Sequence, residues 1–334
     1  MESEALIRPL QVQLQPGRPA LIRADTADAA EWAVEHRDAL HALLLEHGSV
    51  LIRGLGLHTA AQAAAVFGRL ARNGLMTERE SFASRQERGS GAYSATKWPA
   101  GQQMCMHNEL SYVLEAPGLM MFACLTAPEL GGATPTADAE AVLATLPAKL
   151  VQRFERTGWL LTRNYTEDIG SPYSEAFGTD DREAVERYCR DNAIEFEWQP
   201  DGGLRTKQRR RAVLIHPVTG RACWFNQIAF MNEWTLAPEV REYLIDMYGP
   251  DGLPFNTSFG DGTAITEDIV AVVNEAYEAH TVREAWQGGD LLLVDNIRTA
   301  HGRDPFQGGR EIVVALADPI RSGAWPAAVA AVPR

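Results

Sequence analysis

No stretch of this chain restricts its fold as much as Met104-Cys105-Met106-His107-Asn108-Glu109-Leu110-Ser111-Tyr112. On an extended strand, residues two positions apart point to the same side, so His107 and Glu109 aim an imidazole and a carboxylate at one point. Alone, a His-x-Glu pair also arises by chance, with the His as a satisfied core residue. A third donor stands far along the chain, where the apolar strand Asp290-Leu-Leu-Leu-Val-Asp295 runs through Asn296 and Ala300 into His301-Gly302-Arg303. Two His and one carboxylate on one side of a metal, with open positions opposite, form the facial triad of non-haem Fe(II) sites. The same donors also suit Zn2+, in a hydrolase or in a non-catalytic cupin. Either use requires an early strand and a late strand to meet at one mouth.

A cation accompanies the third donor. Arg310 opens the strand Arg310-Glu-Ile-Val-Val-Ala-Leu316, where period two puts Arg310, Ile312, Val314 and Leu316 on one face. An Arg on the apolar side of a buried strand is costly unless it meets an anion. A bidentate pair with a carboxylate is the usual solution.

Composition narrows the class. The chain has 334 residues, of which 46% are hydrophobic and 22% charged, as in ordinary globular proteins. No run of about 18 apolar residues is present, so no membrane span is expected. The start lacks a basic region followed by an apolar one, and no secretory signal is expected. Cys105, Cys124, Cys189 and Cys223 show no C-x-x-C spacing and read as free thiols of a cytoplasmic protein. A formal net charge of −13, from 44 acidic and 31 basic residues, argues against nucleic acid as a partner. The one basic run, Arg205 to Arg211, reads as a solvated hairpin arm or as a docking patch for an acidic partner. The oligomeric state stays open, a homo-oligomer included.

In chain order, Trp32, His36, Leu40, Leu43 and Leu44 recur at helical spacing between Asp28 and His47, and Gly48 ends that helix. Ser49 to Arg53 is a short buried strand, and Thr59-x-x-Gln62 is a capping box opening a helix to about Arg72. Residues 73–103 keep no period and form a lid-like loop anchored by Tyr93 and Trp98. Gly118 to Leu125 is a continuous apolar run, as in a strand covered on both faces. Gly131-Gly132-Ala133-Thr134 turns the chain into a helix from Ala137 to Leu146, and a helical or mixed insertion fills about residues 148–200. Ala212 to Ile215 and Ala222 to Phe225 read as a hairpin, followed by helices at Pro238–Tyr248 and Thr266–His280 before strands return. Strands, insertion, strands again: the expectation is a single domain over residues 1–334, mainly β with α, whose core is a double-stranded β-helix (a cupin-like jelly-roll) with helices outside it.

Taken together, His107-x-Glu109, Gly131-Gly132-Ala133-Thr134, Ile215-His216-Pro217-Val218-Thr219-Gly220, Trp224-Phe225-Asn226-Gln227 and Asp295-Asn296…His301-Gly302-Arg303-x-Pro305-Phe306…Arg310 resemble the TauD/TfdA family. The last motifs look most like its branch that hydroxylates amino acids for nonribosomal peptides, typified by the syringomycin aspartyl hydroxylase. The resemblance implies Fe(II) on His107, Glu109 and His301, with 2-oxoglutarate as co-substrate clamped by Arg310 and helped by Thr134. It implies that O2 and 2-oxoglutarate are converted to succinate and CO2 while a substrate C–H is oxidised. Gln103 stands where the taurine branch places a polar residue at its substrate, and Asn226 is either a substrate contact or a satisfier of backbone groups. Family halogenases replace the carboxylate ligand by Gly or Ala, so Glu109 points to oxygen transfer or dehydrogenation rather than chlorination.

The informative departure is Val314. Relatives place there an Arg that binds the substrate's anionic group, and its loss removes a charge-assisted pair worth roughly 1.5–3 kcal/mol. Two readings follow: the substrate is an amino acid held as a thioester on an acidic carrier protein, docked by the 205–211 run, or Arg303 or Arg298 clamps a free amino acid.

Overall fold

The computed structural model describes residues 10–77, 80, 87, 91–95 and 98–322. Its centre is a seven-stranded sheet in the spatial order Val12–Gln13, Ala20–Arg23, Ser49–Leu57, Gly289–Asp295, Glu115–Thr126, Glu311–Arg321 and Tyr93–Ser94. All neighbours run antiparallel except Ala20–Arg23 beside Ser49–Leu57. A second sheet of four strands, Thr281–Val282, Thr136–Asp138, Thr299–Arg303 and Met104–His107, completes the double-stranded β-helix.

Period two explains why the central strands are apolar throughout. Met120, Phe122 and Cys124 face inward with Leu292, Val294, Ile312, Val314 and Leu316, and pack with Met104, Met106 and Ala300 of the second sheet. The alternate residues, Leu119, Met121, Ala123, Leu291, Leu293 and Val313, form a separate core with the helices Ala29–His47 and Ala60–Leu70. Burying each such side chain contributes roughly 1.5–3 kcal/mol, so a one-residue slip would turn a whole row to the wrong core.

Both helices begin as their sequences dictate. Asp28 accepts from the backbone N–H groups of Ala30 and Glu31, and Thr59 and Gln62 form the expected capping box. Gly48 ends the first helix at φ +74°, and a Cβ there would lie 2.3 Å from Thr299 Oγ1. Only glycine lets this turn approach the strand that carries His301.

Some expectations shift. The strand from Ser49 continues to Leu57, and Thr136–Asp138 is a strand, so the helix expected at Ala137 spans Ala139–Thr145. The insertion expected to be helical or mixed contains both strands and helices. Its strands Trp159–Tyr165 and Ile194–Trp198 join Leu204–Arg210 and Phe255–Phe259 in another four-stranded sheet, flanked by helices that include Arg182–Asp191. Of the expected lid, residues 78–79, 81–86, 88–90 and 96–97 lie outside the described residues. Glu80 is fully buried, and Tyr93–Ser94 pairs with the edge of the central sheet.

Candidate metal and co-substrate site

His107 ends its strand directly opposite His301, and their ring centroids are 4.6 Å apart. Glu109 does not share that strand. The ladder stops at His107, and Glu109 sits in the following turn, where Leu110 takes φ +51°. Strand periodicity therefore does not aim the carboxylate; the turn does. Asn296 holds that turn: its Oδ1 accepts from the Glu109 N–H at 2.7 Å, and its Nδ2 donates to the Glu109 carbonyl at 3.0 Å and to the Pro117 carbonyl at 2.8 Å.

Glu109 Oε2 consequently lies 3.9 Å from His107 Nε2 and 3.6 Å from His301 Nε2. One donor atom from each residue falls within 4.8 Å of the others, and all three side chains are buried. A cation about 2.0–2.2 Å from N and O donors sets them about 3–4 Å apart, so small rotamer adjustments close this set on one ion. The His107 tautomer suits that role. Nδ1 donates to the Cys105 carbonyl at 2.8 Å, which leaves the Nε2 lone pair facing the other donors. Phe230 stacks on the His107 ring at 4.4 Å, and Phe122 meets His301 edge-on at 5.1 Å.

Arg310 lies just before the strand Glu311–Arg321 rather than opening it, with an irregularity in the ladder at Glu311 and Ile312. It still lines the same cavity as the three donors, together with Thr134 and Val314. Its Nε donates to the Gly132 carbonyl at 3.0 Å and its Nη2 to Thr134 Oγ1 at 3.4 Å. Gly132 is at φ +67°, and a Cβ there would come within 2.9 Å of Phe306 and 3.2 Å of Arg310 Cδ. Among the described residues no carboxylate pairs with Arg310. Burial pushes its guanidinium down to about 10, with repulsion from Arg303 adding to this and Cys124 opposing it. It stays protonated at neutral pH, a half-buried cation facing a cavity that suits an anion.

Other sequence candidates fall elsewhere. Gln103 is exposed and does not line the cavity, because the strand begins one residue later and turns it outward. Asn226 satisfies backbone groups: its Nδ2 donates to the Ala212 carbonyl, its Oδ1 accepts from the Ile228 N–H, and its own N–H donates to Asn108 Oδ1. Arg303 borders the cavity, but its Nη groups donate to the carbonyls of Trp98, Pro99 and Gln102 at 2.6–3.0 Å. Arg298 points away, to the Leu45 carbonyl and Asp138. His216 is structural, donating from Nε2 to Asp295 while Nδ1 accepts from the backbone of Val218 and Thr219.

The basic run is divided by its strand. Arg210 is buried, donating to the carbonyls of Tyr112, Asn192 and Ala193. Arg205 and Lys207 stand opposite Glu197 and Glu195 in the hairpin register, which offsets their charge. Asn296, Asn108 and Phe230 were invisible to periodicity as site residues. The pair Asp295-Asn296 before His301 was the one local sign, and it carried no spacing that pointed to Glu109.

Comparison with known proteins gives the family. The family described as "Taurine catabolism dioxygenase TauD, TfdA family" matches residues 7–316. Dapdiamide synthesis protein DdaC of Enterobacter agglomerans is 34% identical over 301 residues, covering 90% of this chain and 91% of that protein. A clavaminate synthase-like protein of Arabidopsis thaliana is 29% identical over 293 residues, covering 83% of each. Among solved structures, PvcB from Pseudomonas aeruginosa aligns with a TM-score of 0.55 at 13% identity, over 96% of this chain and 97% of that one. A taurine dioxygenase from Burkholderia xenovorans aligns with a TM-score of 0.53 at 17% identity, over 94% and 92%. These structural likenesses establish the double-stranded β-helix fold. The family match sets aside the zinc hydrolase and the non-catalytic cupin. The chain belongs to the TauD/TfdA family and is a 2-oxoglutarate-dependent non-haem iron dioxygenase.

Proposed function

We propose that the chain hydroxylates an aliphatic C–H of an amino-acid-derived substrate, with Fe(II) on His107, Glu109 and His301 and the distal carboxylate of 2-oxoglutarate on Arg310 and Thr134. The observation that carries this is the convergence of two Nε2 atoms and one carboxylate oxygen in a cavity also lined by Arg310, which has no carboxylate partner among the described residues. Bound iron and 2-oxoglutarate supply, with O2, the oxidant for the C–H bond. Substrate, 2-oxoglutarate and O2 become hydroxylated product, succinate and CO2. The protein's own residues orient and exclude: Arg310 fixes the far end of the co-substrate, Phe230 and Phe122 hold the imidazoles, and Glu109 fills the position a halide would need. DdaC is named for dapdiamide synthesis, and PvcB is described as an Fe, α-ketoglutarate-dependent oxygenase from an isonitrile synthetic pathway, which supports a place in small-molecule biosynthesis. Four unpaired cysteines support a reducing, cytoplasmic setting.

The substrate's own carboxylate is masked in this reading. Val314 lines the cavity, and the Nη groups of Arg303 and Arg298 are held by protein oxygens elsewhere. A free carboxylate would forgo a pair worth roughly 1.5–3 kcal/mol, or roughly ten- to a hundredfold in affinity. A thioester on a carrier protein answers that, docked elsewhere than on Arg205 and Lys207. Anaerobic addition of Fe(II) and 2-oxoglutarate to the apo protein should raise a weak visible charge-transfer band that His107→Ala lacks. Aerobic turnover should yield succinate and an acceptor heavier by one oxygen atom, faster for a carrier-loaded amino acid than for the same one free. Equal bands in both proteins would reject the site, and faster reaction of the free acid would reject the masked carboxylate.

A further inference from the structure

We infer that Asn296 is the positioning residue that aims Glu109, and that it sets the affinity and geometry of the metal site. The inference rests on the reading that His107, Glu109 and His301 hold the metal. Glu109 lies off the strand, so its carboxylate direction depends on where the turn backbone is held. One side chain holds both ends of that residue. Asn296 pairs with Glu109 as a second peptide would, accepting its N–H and donating to its carbonyl. The remaining Nδ2 proton goes to Pro117, at the base of the central strand Glu115–Thr126. Asn108, between the two ligands, answers with Nδ2 donating to the Asn296 carbonyl at 2.8 Å. Asn296 and Asn108 are both fully buried.

The other side of this clamp leads to His301. Asp295 Oδ1 accepts from the N–H groups of Ile297 and Arg298, and the strand Thr299–Arg303 follows at once. Glu109 and His301 are thus referenced to one rigid turn, and His107 is referenced to His301 by its place across the ladder. Only an amide does this at 296. Asp would keep the bond from the Glu109 N–H but set a carboxylate oxygen against two carbonyl oxygens. Ala would leave a buried N–H and two buried carbonyls without this partner.

Co(II) is a suitable probe, because its visible absorption reports coordination geometry without turnover. Titration of apo protein should show Asn296→Asp and Asn296→Gly binding Co(II) about ten- to a hundredfold more weakly than the unmutated chain, as expected when a residue supporting a ligand is lost. Their ligand-field bands should shift, and succinate release should exceed hydroxylated product. Glycine leaves room for water to satisfy the turn, which favours a folded variant. Asn108→Ser removes the return bond and the longer one from the Asn226 N–H but leaves the Asn296–Glu109 pairing in place, and should weaken Co(II) binding less, with a smaller band shift. A folded Asn296 variant with unchanged Co(II) affinity and spectrum would overturn the inference. Should neither Asn296 variant fold, an unchanged affinity and spectrum in Asn108→Ser would do the same. If the unmutated protein takes up no Co(II), or His107→Ala takes it up equally, the ligand assignment fails and the inference fails with it.

Discussion

Arg310 is the residue whose surroundings say most about what the cavity receives. It holds a positive charge where burial disfavours it, beside a second guanidinium, with only a carbonyl and a hydroxyl as hydrogen-bond partners among the described residues. A carboxylate arriving there gains a charge-assisted, bidentate-capable partner worth roughly 1.5–3 kcal/mol. Arg310→Ala should therefore raise the 2-oxoglutarate concentration at half-saturation roughly ten- to a hundredfold, as read from succinate formation and from titration of the visible band. Arg310→Lys should recover part of that, since a point charge replaces a planar fork. Thr134→Val removes one long hydrogen bond from the Arg310 guanidinium, at 3.4 Å, and should cost only a few-fold, roughly 0.5–1 kcal/mol. An Arg310→Ala protein with unchanged co-substrate dependence would exclude this residue as the clamp.

Two elements are each held by a single buried side chain. Residues 98–102 are gathered by Arg303, whose guanidinium meets three of their carbonyls, and Trp98 of this segment packs near Phe230 on the outer side of His107. Arg303→Met should leave co-substrate binding close to normal while proteolysis at this segment accelerates and succinate release becomes uncoupled from hydroxylation. Unchanged proteolysis would show that other contacts hold the segment. Further out, Glu80 is buried beneath the helix Arg182–Asp191, accepting from Tyr188 at 2.7 Å and Gln208 at 2.7 Å. Burial raises its carboxyl above the ordinary 4.5, against the lowering effects of Tyr188, Arg210, Arg163 and Gln208. An acid whose folded value is raised favours the native state most below its unfolded value, and that contribution is lost as pH climbs through the folded value. Glu80→Gln should remove this dependence, gaining melting temperature relative to the unmutated chain as pH rises above 4.5. The amide of Gln208 must turn to present Oε1, which now lacks a partner, to the new amide. Glu80→Ala, which removes the buried carboxylate that accepts from Tyr188 and Gln208, should be destabilised by about 1–3 kcal/mol at all pH values. Parallel pH profiles for Glu80→Gln and the unmutated chain would refute the assignment.

At the scale of the whole molecule, the cavity lies between the two sheets and is bordered by strands from both ends of the chain. A ligand there bridges the early strand Met104–His107 to the late strands Thr299–Arg303 and Glu311–Arg321, and so opposes global unfolding. Mn(II) with N-oxalylglycine, each at about 100 times its dissociation constant, should stabilise the fold by about 2.7 kcal/mol per independent site. For a chain of 334 residues that is a rise of roughly 4 °C in melting temperature per site, or roughly 8 °C for both. His301→Ala should show almost none of it. A rise of equal size in that variant would place the metal elsewhere.

Local pattern by itself determined the elements that have local causes. The capping box at Thr59 and Gln62, the helix stop at Gly48 and the two-sided apolar strand around Met120 follow from dihedral freedom, orphan N–H groups and period two. The residue types that meet in the cavity, His107, Glu109, His301, Arg310 and Thr134, were also legible, because each stood in a recognisable motif. Their mutual aim was not. Glu109 was expected on a strand and sits in a turn, Gln103 was expected at the substrate and faces outward, and Arg303 was offered as a clamp and instead gathers a loop. The basic run looked continuous in one dimension, yet its strand buries Arg210 and sets Glu195 and Glu197 beside Lys207 and Arg205. The physical reason is common to all four. Periodicity and capping act over a few residues, whereas the hydrogen-bond partner of a buried side chain is chosen by sheet register and by turns from distant parts of the chain. Asn296 shows it most plainly: its position precedes His301, and its side chain belongs to Glu109.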